Sequence, residues 1–345
     1  MDAAPVNICH VNLARGFSGG ESQTLLLIDE QIRLGYQVSV VAKKSSPFAQ
    51  ACKERRCLVH EVGHYLSGHA RKITELCQAV HVHEGQAVYW ALIQHLLYKA
   101  PYIVTRRIDN PFKNKRLSNL AYQKASSIVC VSHAVEAVVK KQFPQAKTNV
   151  VNDSPVAYPV NQHLRTSLCS KYLGKFVVIQ AAKLYQHKGF DVTISAAKRL
   201  KKRPDIHFCL LGDGPELGKL QEQAQGLTNL EFVGRQSEMG AWFSIADVVV
   251  LPSHTEGMGS VLLEATLAGV PVIGTRAGGI PDAIQEEING LLINVGDAEA
   301  LALAILRLHD DEQLRHTIET KAPAFIEGFN IQRAAERYEY IYTNS

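Results

Sequence analysis

Short apolar runs recur along the chain, each followed by a glycine- or proline-bearing loop and then by a stretch whose apolar positions return every three or four residues. That alternation predicts strand, loop and helix in repeating order, the pattern that builds parallel sheets with crossover helices. VNICHVNL at 6–13 reads as the first strand, ARGFSGGES as a glycine loop, Thr24 to Leu34 as a helix closed by Gly35, and YQVSVVA at 36–42 as the next strand. Further strands are predicted near 57–62, 79–82, 101–107 and 127–132. Residues 152–173 carry prolines and polar residues without a clear period, which marks a linker. A second series follows, with strands at 174–183, 206–212, 230–234, 246–252, 270–275 and 290–296. The chain closes in helices, and Tyr338, Tyr340, Ile341 and Tyr342 give the last one an apolar face that predicts packing back onto the body. The expected domains are 1–165 and 166–328, with the helix at about 329–345 returning to the first.

Candidate chemistry sits in the loops after the strands. In LPSHTEGMGSVLLEATLAG at 251–269, Gly257 and Gly259 let the backbone approach a ligand, and the helix expected from Val261 would point free N–H groups at an anion. Glu256 lies before that helix and Glu264 about two turns inside it, so the two carboxylates either serve two parts of one ligand or are simply solvated. Lys183 and Lys188 flank the loop after the first strand of the second series, where two ammonium groups suit a diphosphate; two solvated lysines are the plainer reading. Gly19 and Gly20 could present amides to a phosphate or make a tight turn. HVHEG at 81–85 puts His81 and His83 on one face at a strand's carboxyl end, beside Glu84. That placement suits a sugar or phosphate contact, with ordinary exposed histidines as the alternative; no third residue has convincing spacing for a metal site.

Composition narrows these readings. At 345 residues the chain exceeds one core, and 46% hydrophobic with 20% charged residues describes a globular protein. No apolar run is long enough to span a bilayer, and the acidic start MDAAPVNICHVNLARG lacks a signal layout, so a cytoplasmic location is expected. The seven cysteines are scattered without a Cys-x-x-Cys pair, as in a reduced protein. Net charge is +4. The basic residues from Lys99 to Lys147, among them Arg106, Arg107, Lys113, Lys115 and Arg116, are opposed only by Asp109 and Glu136, whereas acids dominate after Asp282. This argues against a uniform nucleic-acid surface and for local attraction to an anionic membrane or a phosphorylated substrate, with a merely solubilising basic surface as the alternative. The G-x-G-x-x-G spacing is absent after the first strand, and GDGPELG at 212–218 has a different one, which disfavours an oxidoreductase.

PSHTEGMGSVLLEATLAGVPVIGTRAGGIPDAI followed by NGLL resembles the donor-binding signature of the retaining family 4 glycosyltransferases (glycosyl transferases group 1). FSGGES, VHVHEG, ASSIVCVS, AAKLYQHKGFD, LLGDGPE and FVG extend the likeness over nearly the whole chain. The resemblance implies an α/β GT-B fold, two facing Rossmann-like domains with a central cleft. It implies that Glu264 holds the ribose hydroxyls of a nucleotide, and that Glu256 with Gly257, Met258, Gly259 and Ser260 lies at the donor sugar and its phosphate. Lys183 and Lys188 would stabilise the diphosphate leaving group, Gly19 and Gly20 would face the phosphates, and His83 would lie near the reacting carbon. Arg106 or Arg107, in a TRRIDNP segment similar to that of some bacterial members, would bind an anionic acceptor.

The implied partners are a nucleotide-diphosphate sugar and a glycan or lipid-linked acceptor, with a peripheral contact to an anionic membrane and no nucleic acid. The chain has no Asp-x-Asp, so neither a metal nor another cofactor is expected. For retaining members the resemblance implies front-face attack by the acceptor hydroxyl, whose proton goes to the departing phosphate. Lys183 stands where relatives often carry Arg, VVNDSPVAY replaces an Asn-Gly-Val-Asp turn, and Asp282 replaces a common Glu, which bears on hinge geometry and donor choice. The expected role is assembly of bacterial lipopolysaccharide or surface polysaccharide. Alternatives are a nucleotide-sugar epimerase of the same fold and a nucleotide-sugar-binding protein without turnover.

Overall fold

The computed structural model describes residues 6–83, 85–113 and 115–344, so the acidic start of the chain and Glu84 lie outside the described residues. The chain forms two compact units: one runs to Ser154 and takes up the segment from Asn330, the other is Pro155–Phe329.

The first unit holds strands β1 (Asn7–Asn12), β2 (Gln37–Lys43), β3 (Leu58–Val62), β4 (Ala79–Val82), β5 (Tyr102–Arg106), β6 (Ser127–Cys130) and β7 (Thr148–Val150). They form a parallel sheet in the order β3-β2-β1-β4-β5-β6-β7. β4, β5 and β6 are buried at every position, so they lack the apolar–polar alternation of a strand with one face in water. The second unit holds β8 (Phe176–Ala181), β9 (Ile206–Leu211), β10 (Leu230–Gly234), β11 (Val248–Leu251), β12 (Val272–Thr275) and β13 (Gly290–Ile293), ordered β10-β9-β8-β11-β12-β13. Its core joins Val178, Phe208, Leu210, Val248, Val250 and Ile273 to Ile194 and Ala197 of the helix Phe190–Arg199 and to Leu301 and Ile305 of the helix Ala298–Asp310. Truncating Leu210 there to alanine would cost about 2–5 kcal/mol.

Each sheet reverses its strand order once, between β1 and β4 in the first unit and between β8 and β11 in the second. Loops leaving the carboxyl ends of strands on either side of such a point diverge and leave a crevice, where ligands of open α/β sheets bind.

Several expectations change. The first helix is Gly19–Arg33, so Gly19 and Gly20 form its first turn and do not precede it. Glu21 sets that start: its carboxylate accepts from the Ser18 amide (2.8 Å) and hydroxyl (2.7 Å) and from the Asn12 amide (3.0 Å). The unit boundary falls at 154/155, not at 165/166. Residues 162–171, read as linker, are the helix Gln162–Lys171, whose first turn is capped by Asn161 accepting from the Leu164 amide (3.2 Å). It packs on the helix Met239–Phe243. A Cβ on Gly240 would stand 2.2 Å from the Pro159 carbonyl oxygen, so only glycine lets the 158–159 backbone lie there and bind residues 155–161 to the second unit. The terminal helix Ile331–Thr343 packs on Gly19–Arg33, placing Ala334, Tyr338, Ile341 and Tyr342 against Ile8, Leu27 and Ile103. Tyr340 is exposed and takes no part in that face. All seven cysteines are free thiols.

Candidate functional site

In the second unit, backbone contacts that exclude side chains bring two loops together at the β8/β11 reversal. A Cβ on Gly189 (φ +69°) would lie 1.9 Å from the Pro252 carbonyl oxygen, and one on Gly212 (φ +147°) 1.9 Å from that of Ala182. The loop after β8 is further tied by the Gln180 side-chain amide donating to the Lys188 carbonyl (2.8 Å), and by the His254 amide donating to the His187 carbonyl (2.8 Å). The outcome is that the Lys188 ammonium donates to the Glu256 carboxylate, with side chains 20% and 15% exposed. A pair this far from water keeps more of its attraction than one on the surface, yet still meets solvent and any ligand that enters. The Gly279 amide donates to the Glu256 carbonyl (2.8 Å), adding the loop after β12.

Gly259 (φ +79°) turns the chain into the helix Ser260–Leu267, with Gly257, Met258 and Gly259 buried and Ser260 half-buried. Glu264 lies on that helix and accepts from the Tyr158 hydroxyl (3.4 Å) beside a small cavity shared with Phe243 and Leu267. Burial, then the Glu264 charge, push the Tyr158 hydroxyl up to about 12. Glu256 and Glu264 are therefore both partnered and half-buried, not solvated. Lys183 is exposed on the β8 loop.

In the first unit, β1 and β4 run side by side with His10 and His81 in register, and His83 follows at the end of β4. All three imidazoles are buried, which corrects the reading of exposed histidines: His10 and His81 are 0% exposed and His83 is 5%. His10 supplies the third member that spacing along the chain did not offer. Its Nδ1 lies 2.7 Å from His83 Nε2 and its Nε2 lies 2.7 Å from Gln31 Oε1. His81 bonds the Tyr342 hydroxyl through Nδ1 (2.8 Å) and Thr105 through Nε2 (2.7 Å). Burial pushes His10 down to about 4, and it drives His81 and His83 well below the usual histidine range, helped by the neighbouring rings and Arg107. The three are neutral near pH 7.

The two arginines of TRRIDNP part company. Arg106 stacks over the Phe112 ring at 3.9 Å and donates to the Asn110 carbonyl. Arg107 approaches His83 Nδ1 through Nη1 (3.4 Å), pairs with Asp153 through Nε (3.1 Å), and has its Cδ 3.8 Å from where a Cβ on Gly20 would be. Asp153, half-buried, has its carboxyl pushed up by desolvation against the pull of Arg107. Gly20, His83 and Arg107 thus come together in this unit, and Arg106 does not join them. His10, Gln31, Asp153 and Tyr342 were missed. His10 comes beside His81 only through the pairing of β1 with β4, which the strand pattern along the chain does not specify.

Among the described residues, two groups have metal-binding side chains within 4.8 Å of one another: His10, His81 and His83, and His207, Cys209 and Glu231. Every ring nitrogen of the first group already has a hydrogen-bond partner. In the second, the Glu231 carboxylate is neutralised by Lys171 (2.8 Å), and it stands on β10, at the edge of its sheet and away from the β8/β11 reversal.

Comparison with known proteins bears on the fold and family of this chain. The family model described as "Glycosyl transferases group 1" matches residues 170–325. The chain is 32% identical over 170 residues to N-acetyl-alpha-D-glucosaminyl L-malate synthase of Bacillus anthracis, covering 48% of this chain and 45% of that protein. It is 28% identical over 276 residues to an uncharacterized glycosyltransferase of Methanocaldococcus jannaschii (76% and 74% covered). It is 35% identical over 142 residues to the lipopolysaccharide core biosynthesis glycosyltransferase LpsE of Rhizobium meliloti (40% and 41%). The matched stretch thus spans less than half the length of the first and third of these relatives. Among solved structures, Anabaena HepE in complex with UDP superposes with a TM-score of 0.85 at 20% identity, covering 99% of this chain and 100% of that one. A glycosyltransferase from Rickettsia africae gives 0.85 at 19%, covering 99% and 98%. The fold is that of GT-B proteins, two Rossmann-like domains with parallel sheets.

Proposed function

We propose that this chain, which belongs to the group 1 glycosyl transferases through residues 170–325, is a retaining glycosyltransferase that moves a sugar from a nucleoside diphosphate donor to a glycan or lipid-linked acceptor. The observation that carries the reading is the Lys188–Glu256 pair at the β8/β11 reversal, with Glu264 on the helix that follows. As the bond between sugar and diphosphate breaks, negative charge grows on the leaving phosphate. Lys188, with Lys183 on the same loop, meets that charge, work done elsewhere by a divalent metal. Glu264 accepts from the two ribose hydroxyls, and the amides of Gly257 to Ser260 approach the sugar and phosphate. In the first unit, Gly19 and Gly20 offer first-turn amides, His83 stands beside Arg107, and Arg107 takes an anionic group. The acceptor hydroxyl attacks from the face the phosphate leaves, and its proton passes to the departing phosphate, so no protein nucleophile is required.

HepE has been solved with UDP and with UDP-glucose, and LpsE and LpsD are named for lipopolysaccharide core biosynthesis, which favours a uridine donor and an acceptor of bacterial surface glycans. A membrane-side acceptor also suits the first unit. Leu96, Leu97 and Lys99 at the end of the helix Ala87–Tyr98, and Lys115, Arg116, Leu117 and Leu120 at the neighbouring helix Arg116–Gln123, are exposed and combine apolar with basic side chains. No helix among the described residues is long and apolar enough to cross a membrane.

A thermal-shift series of uridine, guanosine and adenosine diphosphates and their sugars, followed by transfer assays in excess chelator, tests the proposal. One donor should stabilise the protein and be turned over without metal. Donor binding with neither transfer nor hydrolysis would favour a binding protein, epimer formation would favour an epimerase, and abolition by chelator would overturn the metal-free step.

A further inference from the structure

A continuous chain of hydrogen bonds runs through the interior of the first unit from Arg107 to the terminal helix. In order it links Arg107 Nη1, His83 Nδ1 (3.4 Å), His83 Nε2 to His10 Nδ1 (2.7 Å), and His10 Nε2 to Gln31 Oε1 (2.7 Å). It continues from Gln31 Nε2 to the Tyr342 hydroxyl (3.0 Å), from Tyr342 to His81 Nδ1 (2.8 Å), from His81 Nε2 to Thr105 (2.7 Å), and from Thr105 to Tyr338 (3.1 Å). His10, Gln31 and His81 are 0% exposed, so water does not break the series.

Each neutral imidazole has one donor and one acceptor nitrogen, so a proton placed at one end dictates all the others. Two directions satisfy every interior link and also leave each hydroxyl proton an acceptor; having Tyr342 accept from both Gln31 and His81 would orphan its buried O–H. In the first, His83 donates to His10, His10 to Gln31, the Gln31 amide to Tyr342, Tyr342 to His81, and His81 to Thr105. In the second, with the Gln31 amide turned over, every one of these donations reverses. Only the end at Arg107 tells them apart. A guanidinium has donors and no acceptor, so the second direction would set His83 Nδ1–H against an Arg107 N–H in a buried site.

We propose that Arg107 fixes the direction of this relay, holding His83 as the Nε2–H tautomer with its Nδ1 lone pair toward the guanidinium, and that Gln31 is a positioning residue that carries the same direction to Tyr342 on the terminal helix. His83 is then an acceptor, never a ring donor, on its Arg107 side. The relay's bearing on turnover rests on the donor-site reading above, whereas the relay itself does not.

Long-range proton–nitrogen NMR of the full chain with labelled histidine reads each tautomer directly, because protonated and unprotonated ring nitrogens resonate in separate regions. At neutral pH, His10, His81 and His83 should all be Nε2–H; an Nδ1–H form of any of them in the wild-type protein overturns the assignment. In Arg107→Met paired with Asp153→Asn, which leaves no unpaired buried carboxylate, His83 Nε2 and Nδ1 should move toward shared, averaged positions. Retention of pure Nε2–H there shows that something else sets the direction and overturns the role of Arg107. In Tyr342→Phe, cut beyond Gln31, His83 and His10 should keep their tautomers, and a change in either overturns the order of control. Gln31→Leu cuts the relay between its two halves: His10 should stay Nε2–H, because His83 still donates to its Nδ1, whereas Tyr342 and His81 lose the imposed direction and the His81 nitrogens should move toward averaged positions; an unchanged His81 spectrum overturns the role of Gln31. None of these spectra depends on turnover, so a protein with the predicted tautomers and no transferase activity would refute the functional reading and leave the relay intact.

Discussion

The two strand-order reversals carry opposite chemistry. At β8/β11 the groups are charged and half-exposed, Lys188 against Glu256, on loops drawn together by glycines whose backbones touch the neighbouring chain. At β1/β4 they are neutral imidazoles sealed from water, each satisfied by a partner inside its own unit, with Arg107 and Asp153 as the charged rim. A partly wet ion pair can be opened by a ligand that offers phosphate to the lysine, because solvent and ligand replace what is lost. A dry, fully bonded array cannot be opened cheaply, since each orphaned polar atom would cost about 1–3 kcal/mol. The contrast assigns charge stabilisation to the second unit and shape to the first.

Changes that remove charge from the second reversal should break this division most. Lys188→Ala should lower kcat roughly a hundredfold, as loss of one preorganised electrostatic contact does, and should weaken the diphosphate more than the nucleoside in direct binding. A fall in nucleoside affinity of equal size would instead mean that the loop had collapsed. Glu264→Ala should weaken the nucleoside diphosphate about tenfold, the worth of hydrogen bonds to a charged group, with kcat at saturating donor little changed. Calorimetry on both ligands separates the two residues.

At the first reversal the expected effect is on stability. The folded-state pKa of His10 lies near 4, below its ordinary 6.5, so the unfolded chain binds the extra proton first. The contribution is fully present above pH 6.5 and is lost as pH falls toward 4. Amide exchange in β1 and β4 should therefore accelerate over that window before exchange in β8 and β11 does; simultaneous acceleration would show that the histidines do not set it. The smallest effect should be at the exposed basic and apolar surface. Replacing Lys115 with Gln should reduce co-sedimentation with anionic vesicles about fivefold at low salt and leave soluble-acceptor turnover alone, about 1 kcal/mol per charge being at stake.

Legibility in sequence follows the same line. Lys183, Lys188 and Glu256 lie in loops directly after apolar runs and Glu264 on the helix that follows one, and the glycines that shape those loops are adjacent in the chain, so local pattern and the family likeness both reach them. The array around His83 is assembled from β1, Gly19–Arg33, β4, β5 and the last helix, and no local pattern links His10 to Tyr342. The helix Gln162–Lys171 was hidden by its weak amphipathic pattern and the prolines before it, and β7, three residues long, is too short for a period to show. Arg106 and Arg107 look interchangeable in sequence. One sits on the last residue of β5 and the other just beyond it, so alternation sends them to different surroundings.

The return of the terminal helix to the first unit also bears on how the molecule is made. The second unit is one unbroken stretch, Pro155–Phe329, and has all its strands once Phe329 has left the ribosome. The first unit begins earlier in synthesis yet lacks Tyr338 and Tyr342 until after Phe329, and until then His81 Nδ1 and the Gln31 side-chain amide lack the Tyr342 hydroxyl. Of the two units, the one begun first is thus completed second, reversing the usual order of domain maturation.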